Sequence, residues 1–388
     1  MHRSILHLLH LCLLVSASTV FAQSSETPIR IFGYFQNQFE AQSSIDAEPK
    51  HSNNSFILQQ LNLFFQKDLH KAWSAFISVE MLNSFSDSRR TGAVNLDEAW
   101  VKFRSSKHFN LKLGLQIPIF NNFNEIKNRT PLLPYIIRPL AYETSFNETI
   151  DIEAFIPGQA FAQAYGFKPI GSAKLDYALY LGNSPNIIQN NAVLADRSGA
   201  DSTTAILVGG RLGLRLGEVK LGSSVSYDRV NDFKGLEVVF GGNADRFELL
   251  PRVRFGLDLS ANWKSLAFES EFVQVQHDDD LEDFSIDKQF LYATAGCRFL
   301  DDRLFAFLSY WQTNEDQPFI LQQNGISLAV VDIQAQVPNI GFSYNLTDLI
   351  RLKAHHAFVT VEGNPVFTDL FLKQRFNYFT AAVSVIFK

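Results

Sequence analysis

The chain has little cysteine and, beyond its first residues, no long apolar run. Its 388 residues include two cysteines, Cys12 and Cys297. Cys12 falls in a stretch that reads as a leader, so a single cysteine is expected in the mature chain and an intrachain disulfide is excluded. No later segment offers the roughly 20 uninterrupted apolar residues that a membrane helix needs. A strong excess of one charge is missing too. Lys and Arg number 34 against 40 Asp and Glu, a net −6, which argues against nucleic acid as a partner. What is abundant is Phe, with 36 copies in a hydrophobic fraction of 46%, yet the mean hydropathy is only −0.03. A wall whose residues alternate between hydrocarbon and water gives that combination.

Residues 1–22 carry Arg3 and the apolar stretch "LHLCLLVSASTVFA", ending on Val20, Phe21 and Ala22. This is the layout of a signal peptide cleaved before Gln23. "LHLC" has bulky residues where a lipid-attachment site needs small ones, so no lipid anchor is expected. Export leaves 23–388 as one domain.

That domain alternates with period two. Trp73, Ala75, Ile77, Val79 and Met81 form one parity, and Ser74, Phe76, Ser78 and Glu80 the other. At the end of the chain Phe379, Ala381, Val383, Val385 and Phe387 share a side, as a lipid-facing strand requires. About sixteen such stretches run from 30–40 to 374–387, each near the ~9–11 residues of a tilted membrane strand. Their connectors alternate between short ("DLHK", "SSKH", "KPIG") and long (183–202, 230–249). The expected fold is all-β: a transmembrane antiparallel β-barrel with short periplasmic turns and long extracellular loops. Trp73, Trp263, Tyr378 and Phe387, near predicted strand ends, are expected as interfacial anchors.

One connection, 119–158, is too long for an idle linker. Its Leu132, Leu133, Tyr135, Ile136, Ile137 and Leu140 want burial, and the lumen is the nearest place to find it. An inward-folded third loop that narrows the channel is expected. Lys127, Arg129, Arg138 and Glu125 are its candidate constriction residues, although with Glu143 and Glu148 the loop could equally neutralise itself.

Taking the less apolar parity as inward, Lys112, Lys174, Arg211 and Arg254 fall near mid-strand and are pore-lining candidates. Lys102, Arg104, Arg215 and Arg298 lie nearer the turns, where they could line the pore or simply rim its mouth. The matching acids, Glu80, Glu98, Asp176, Asp228, Asp258, Glu269 and Glu271, are fewer than the wall cations. A pore lined by one charge sign excludes ions of that sign, so a modest anion preference is expected. The acidic run His277–Asp283 lacks the glycine and spacing of a calcium loop and reads as a solvated tip. No metal or cofactor is expected.

"LKLGLQIPIF", "PLLPYIIRPLAYE" and "LDYALYLGNS" resemble the bacterial outer-membrane porins and, more narrowly, the phosphate-selective porin family. The resemblance implies a homotrimer in the outer membrane of a Gram-negative-type bacterium, surrounded by lipid and lipopolysaccharide and passing ions and small hydrophilic solutes by diffusion. It also implies insertion by the barrel assembly machinery, which reads a terminal Phe. Here Phe387 is followed by Lys388, so either that reading tolerates an extra residue or the signal is weaker. Two other classes remain open, a structural or adhesive barrel and a barrel lipid hydrolase. For the second the chain offers His355-His356 and scattered Ser, with no motif uniting nucleophile, base and acid.

Overall fold

The computed structural model describes residues 27–46, 52–82, 93–142, 155–184, 205–230, 250–278, 285–321, 327–363 and 373–388. The leader, Glu143, Glu148 and most of the acidic run 277–283 lie outside the described residues.

Sixteen strands account for nearly all of it: β1 (Arg30–Ser44), β2 (Ser52–His70), β3 (Trp73–Leu82), β4 (Ala93–Arg104), β5 (Asn110–Gln116), β6 (Ala160–Ile170), β7 (Ala173–Asn183), β8 (Ile206–Leu216), β9 (Val219–Val230), β10 (Leu250–Trp263), β11 (Leu266–Asp278), β12 (Ser285–Phe299), β13 (Leu304–Leu321), β14 (Ser327–Asn345), β15 (Ile350–Gly363) and β16 (Lys373–Phe387). Each pairs antiparallel with its sequence neighbours, and β1 pairs β16 from Gly33↔Phe387 to Ser44↔Phe376. Closure leaves no edge, so every strand finds ladder partners on both sides. Thr27, Lys388 and the short connections, such as Gly217-Glu218 and Lys264-Ser265, lie at one end, here the turn end; the strand ends that lead into the long connections lie at the other, the loop end.

The two parities separate as their chemistry dictates. Leu179, Leu212, Leu308 and Phe379 are exposed on the outside, whereas Tyr180, Thr380 and Ser384 are buried inside. Trp73 and Trp263 stand on the outer surface. Tyr378 does not. It points inward and its hydroxyl donates to Glu40 Oε2 at 2.5 Å, so it is no interfacial anchor.

Two further features depart from the sequence reading. Residues 315–332, read as a loop, continue the ladder of β13 and β14 to Leu321↔Ser327. A hairpin can extend beyond the hydrocarbon because its own pairing satisfies the backbone there. The inner face of β11–β16 also mixes large apolar side chains with its polar ones. Val273, Val275, Phe290, Tyr292, Phe307, Trp311, Val337 and Val359 face the lumen and are buried, because they meet protein there and not water.

Candidate functional site

That protein is the connection between β5 and β6. Residues 117–142 and 155–157 fold into the barrel, where Phe120, Phe123, Tyr135, Ile137, Leu140, Tyr142, Phe155 and Ile156 join the inner wall of β11–β16 in one apolar cluster. Irregular backbone inside a barrel needs a partner for each polar group. The wall supplies them. Ile119 N–H donates to Gln163 Oε1 at 2.9 Å, Asn121 N–H to Ser224 Oγ at 2.9 Å and Phe123 N–H to Glu271 Oε1 at 2.8 Å. The Tyr142 hydroxyl donates to Glu271 Oε2 at 2.7 Å, and that of Tyr135 to Glu269 Oε1 at 2.5 Å.

On β15 three residues hold the loop. Lys353 Nζ donates to the carbonyls of Thr130 at 2.7 Å and Tyr135 at 3.1 Å, and to Gln36 Oε1 at 2.8 Å. Arg351 donates to the Leu132 carbonyl at 2.6 Å, and His355 Nδ1 accepts from Ile137 N–H at 3.3 Å. Gly256 lets the loop approach: a Cβ there would sit 2.3 Å from Asn121 Oδ1.

With the loop against β11–β16, open space remains along β4–β8. A cavity of about 510 Å³ lies between the loop and this wall, lined by Arg104, Asn122, Glu125, Tyr165, Tyr177, Arg211 and Arg215 among others. A second, of about 720 Å³, lies at the turn end beside Arg30, Asp68, Lys71, Lys102 and Arg104. Arg104 belongs to both. The strand register sets cations side by side on these walls: Lys102 is directly opposite Lys112, and Lys174 opposite Arg215, which in turn is opposite Lys220. Like charges so placed repel, and a fold gains nothing from them. Lys112 is held by rings, with Nζ 4.8 Å from the Trp100 centroid and 5.4 Å from that of Tyr165. Lys102 lies 5.7 Å over Trp100, and Lys174 5.8 Å over Phe167.

No protein-family model matches the sequence, and no curated protein matches it either. Solved structures do match the fold. The anion-selective porin from Comamonas acidovorans has a TM-score of 0.59 at 12% identity, covering 93% of this chain and 99% of that one. The outer membrane channel DcaP of Acinetobacter baumannii has a TM-score of 0.55 at 11% identity, covering 94% and 99%. In-vitro folded OmpT, an outer membrane protein of Vibrio cholerae, has a TM-score of 0.55 at 11% identity, covering 94% and 100%.

The fold is that of the outer-membrane porins.

Within this porin fold the sequence-predicted residues divide into three groups. Arg104, Arg211 and Arg215 border the opening beside the loop, Lys102 borders the one at the turn end, and Lys112 and Lys174 stand among rings. Arg211 is paired, donating to both oxygens of Asp258 at 2.6 and 3.0 Å and to Asn122 Oδ1 at 3.1 Å; Arg215 reaches Asp176 Oδ2 at 3.2 Å. Arg254 borders neither opening and is wholly buried, sharing Asp228 with Arg252 at 3.1 and 2.7 Å. Arg298 donates to Asn262 Oδ1 at 3.0 Å. In the loop, Arg138 donates to the Lys127 carbonyl at 3.1 Å, Arg129 is exposed, and Glu125 faces the cavity beside the loop.

Sequence reasoning passed over Trp100 and Tyr165, which hold Lys112, and over the anchoring by β15. Their signal was faint. Trp100 and Tyr165 share the inward parity with the lysines, but only the pairing of β4, β5 and β6 brings them together.

Proposed function

We propose that this chain is an outer-membrane porin, a water-filled channel for passive diffusion of ions and small hydrophilic solutes with a modest preference for anions. The single observation that carries the preference is the arc of Lys102, Arg104, Lys112, Lys174, Arg215 and Lys220 on β4–β9, in which like charges stand opposite one another. Such an arc raises the local concentration of anions and repels cations. Similarity to a porin whose description reads anion-selective is in keeping with this reading, as is the chain's resemblance to phosphate-selective porins. The channel is placed in the outer membrane of a Gram-negative bacterium, with lipopolysaccharide at its loop end and insertion by the barrel assembly machinery. A homotrimer is part of the proposal, supported by the trimer form of OmpT among the similar folds. No catalytic role is proposed.

The test is the reversal potential of the purified protein in planar bilayers across a KCl gradient. The expected sign is that of a chloride-preferring channel, and replacing Lys102, Lys112 and Arg215 together by Gln moves it toward potassium. A potassium-preferring wild type overturns the preference; absence of conductance overturns the channel.

A further inference from the structure

The cavity beside the loop holds more than charge. Among the described residues the Arg104 guanidinium has no hydrogen-bond or ion-pair partner, although it faces both openings. Arg215 has satisfied one nitrogen with Asp176, and its side chain is still 40% exposed. A guanidinium without a partner at a cavity wall calls for an acceptor from outside the protein. Between these two arginines stand the rings of Tyr165 and Phe167, on the inward parity of β6. The cavity of about 510 Å³ is far larger than a bare inorganic anion fills and lies in the range of sites for small organic ligands.

We propose that this cavity is a binding station for small organic anions that carry a flat ring, the acidic group meeting Arg104 and Arg215 and the ring packing on Tyr165 and Phe167. The station rests on the channel reading above and names the solute class it holds. An acid with only an aliphatic body meets the same two guanidinium groups and forgoes the rings. A ring adds stacked or edge-to-face contact, which distinguishes the two acids at equal charge.

The probes are benzenesulfonate and methanesulfonate, both permanently anionic and differing in the ring alone. Each is added to the purified wild-type protein in planar bilayers carrying KCl current. Benzenesulfonate is expected to interrupt the current at a concentration roughly three- to tenfold lower than methanesulfonate does. Tyr165→Ser is expected to erase that ratio, whereas Arg104→Gln weakens both probes together. Equal potency of the two sulfonates on the wild type overturns the proposal, and so does inorganic phosphate acting at lower concentration than benzenesulfonate. A ratio that survives in both Tyr165→Ser and Phe167→Ser overturns it as well. The wild-type comparison decides even if the variants do not fold. A potassium-preferring reversal potential, by contrast, sinks the anion preference without touching the ratio.

Discussion

At the scale of single residues, the same side-chain type does different jobs according to its neighbour. Arg211 and Arg254 have equal formal charge, yet the first lies beside open space and the second is enclosed with Arg252 around Asp228. Asp258 sets what Arg211 contributes, because the pair is nearly desolvated and makes two hydrogen bonds. Gly222 leaves room for them: a Cβ there would be 2.2 Å from Asp258 Oδ2 and 2.3 Å from Arg211 Nη2. Breaking a buried pair from either side costs about 3–5 kcal/mol, but the two halves leave opposite charges behind. Asp258→Asn is therefore expected to raise the preference for chloride and Arg211→Gln to lower it, while both lower the temperature at which the folded gel mobility is lost. Reversal potentials that move in the same direction would refute this account of the pair.

At the scale of strands, the seam between β1 and β16 turns a sheet into a tube. Its loop end is pinned by Arg375, whose guanidinium donates to both oxygens of Asp46, the shortest contact being 2.7 Å, while Ile45 N–H donates to the Arg375 carbonyl at 2.8 Å. These bonds hold the Asp46 carboxyl below its usual range. A carboxyl lowered in the folded state contributes fully above its unfolded value and loses that contribution as pH falls through the folded one. Protection of the Ile45 amide from exchange, corrected for the intrinsic rate, should persist through the ordinary carboxylate range and fall below it. In Asp46→Asn it should be low throughout. Strands of this kind were legible in the sequence because alternation between lipid and lumen is written into every second residue. β10, read as 250–263, spans Leu250–Trp263. The extension of β13 and β14 was not legible, since outside the hydrocarbon no alternation is demanded. That Val273, Phe290 and Trp311 on the inner face of β11–β16 pack against the loop was not read, for a related reason. Period two reports which residues share a face and says nothing of whether that face meets water or a folded loop. Register left no trace either, so the facing lysines at 102 and 112 emerged only with the pairing.

At the scale of the whole molecule, this is a barrel with an interior of its own. The described part of the loop packs on the side next to β11–β16 and leaves open space off-axis, along β4–β8. Lys353 is the wall's strongest hold on the loop, buried with three acceptors around one ammonium. Lys353→Met keeps the length and removes the donors, stranding buried carbonyls at about 1–3 kcal/mol each. The expected outcome is a lower unfolding temperature with a larger and noisier unit conductance. An unchanged conductance would mean that the remaining anchors suffice.

The apolar packing of loop on wall also divides assembly into two tasks governed by different solvents. Strands partition into oil and zip together, whereas the loop docks from the aqueous side by excluding water, as the core of a cytosolic enzyme does. An undocked loop would leave the barrel interior wide, and the hydrogen bonds made with Glu269, Glu271, Lys353 and His355 hold the loop against that outcome.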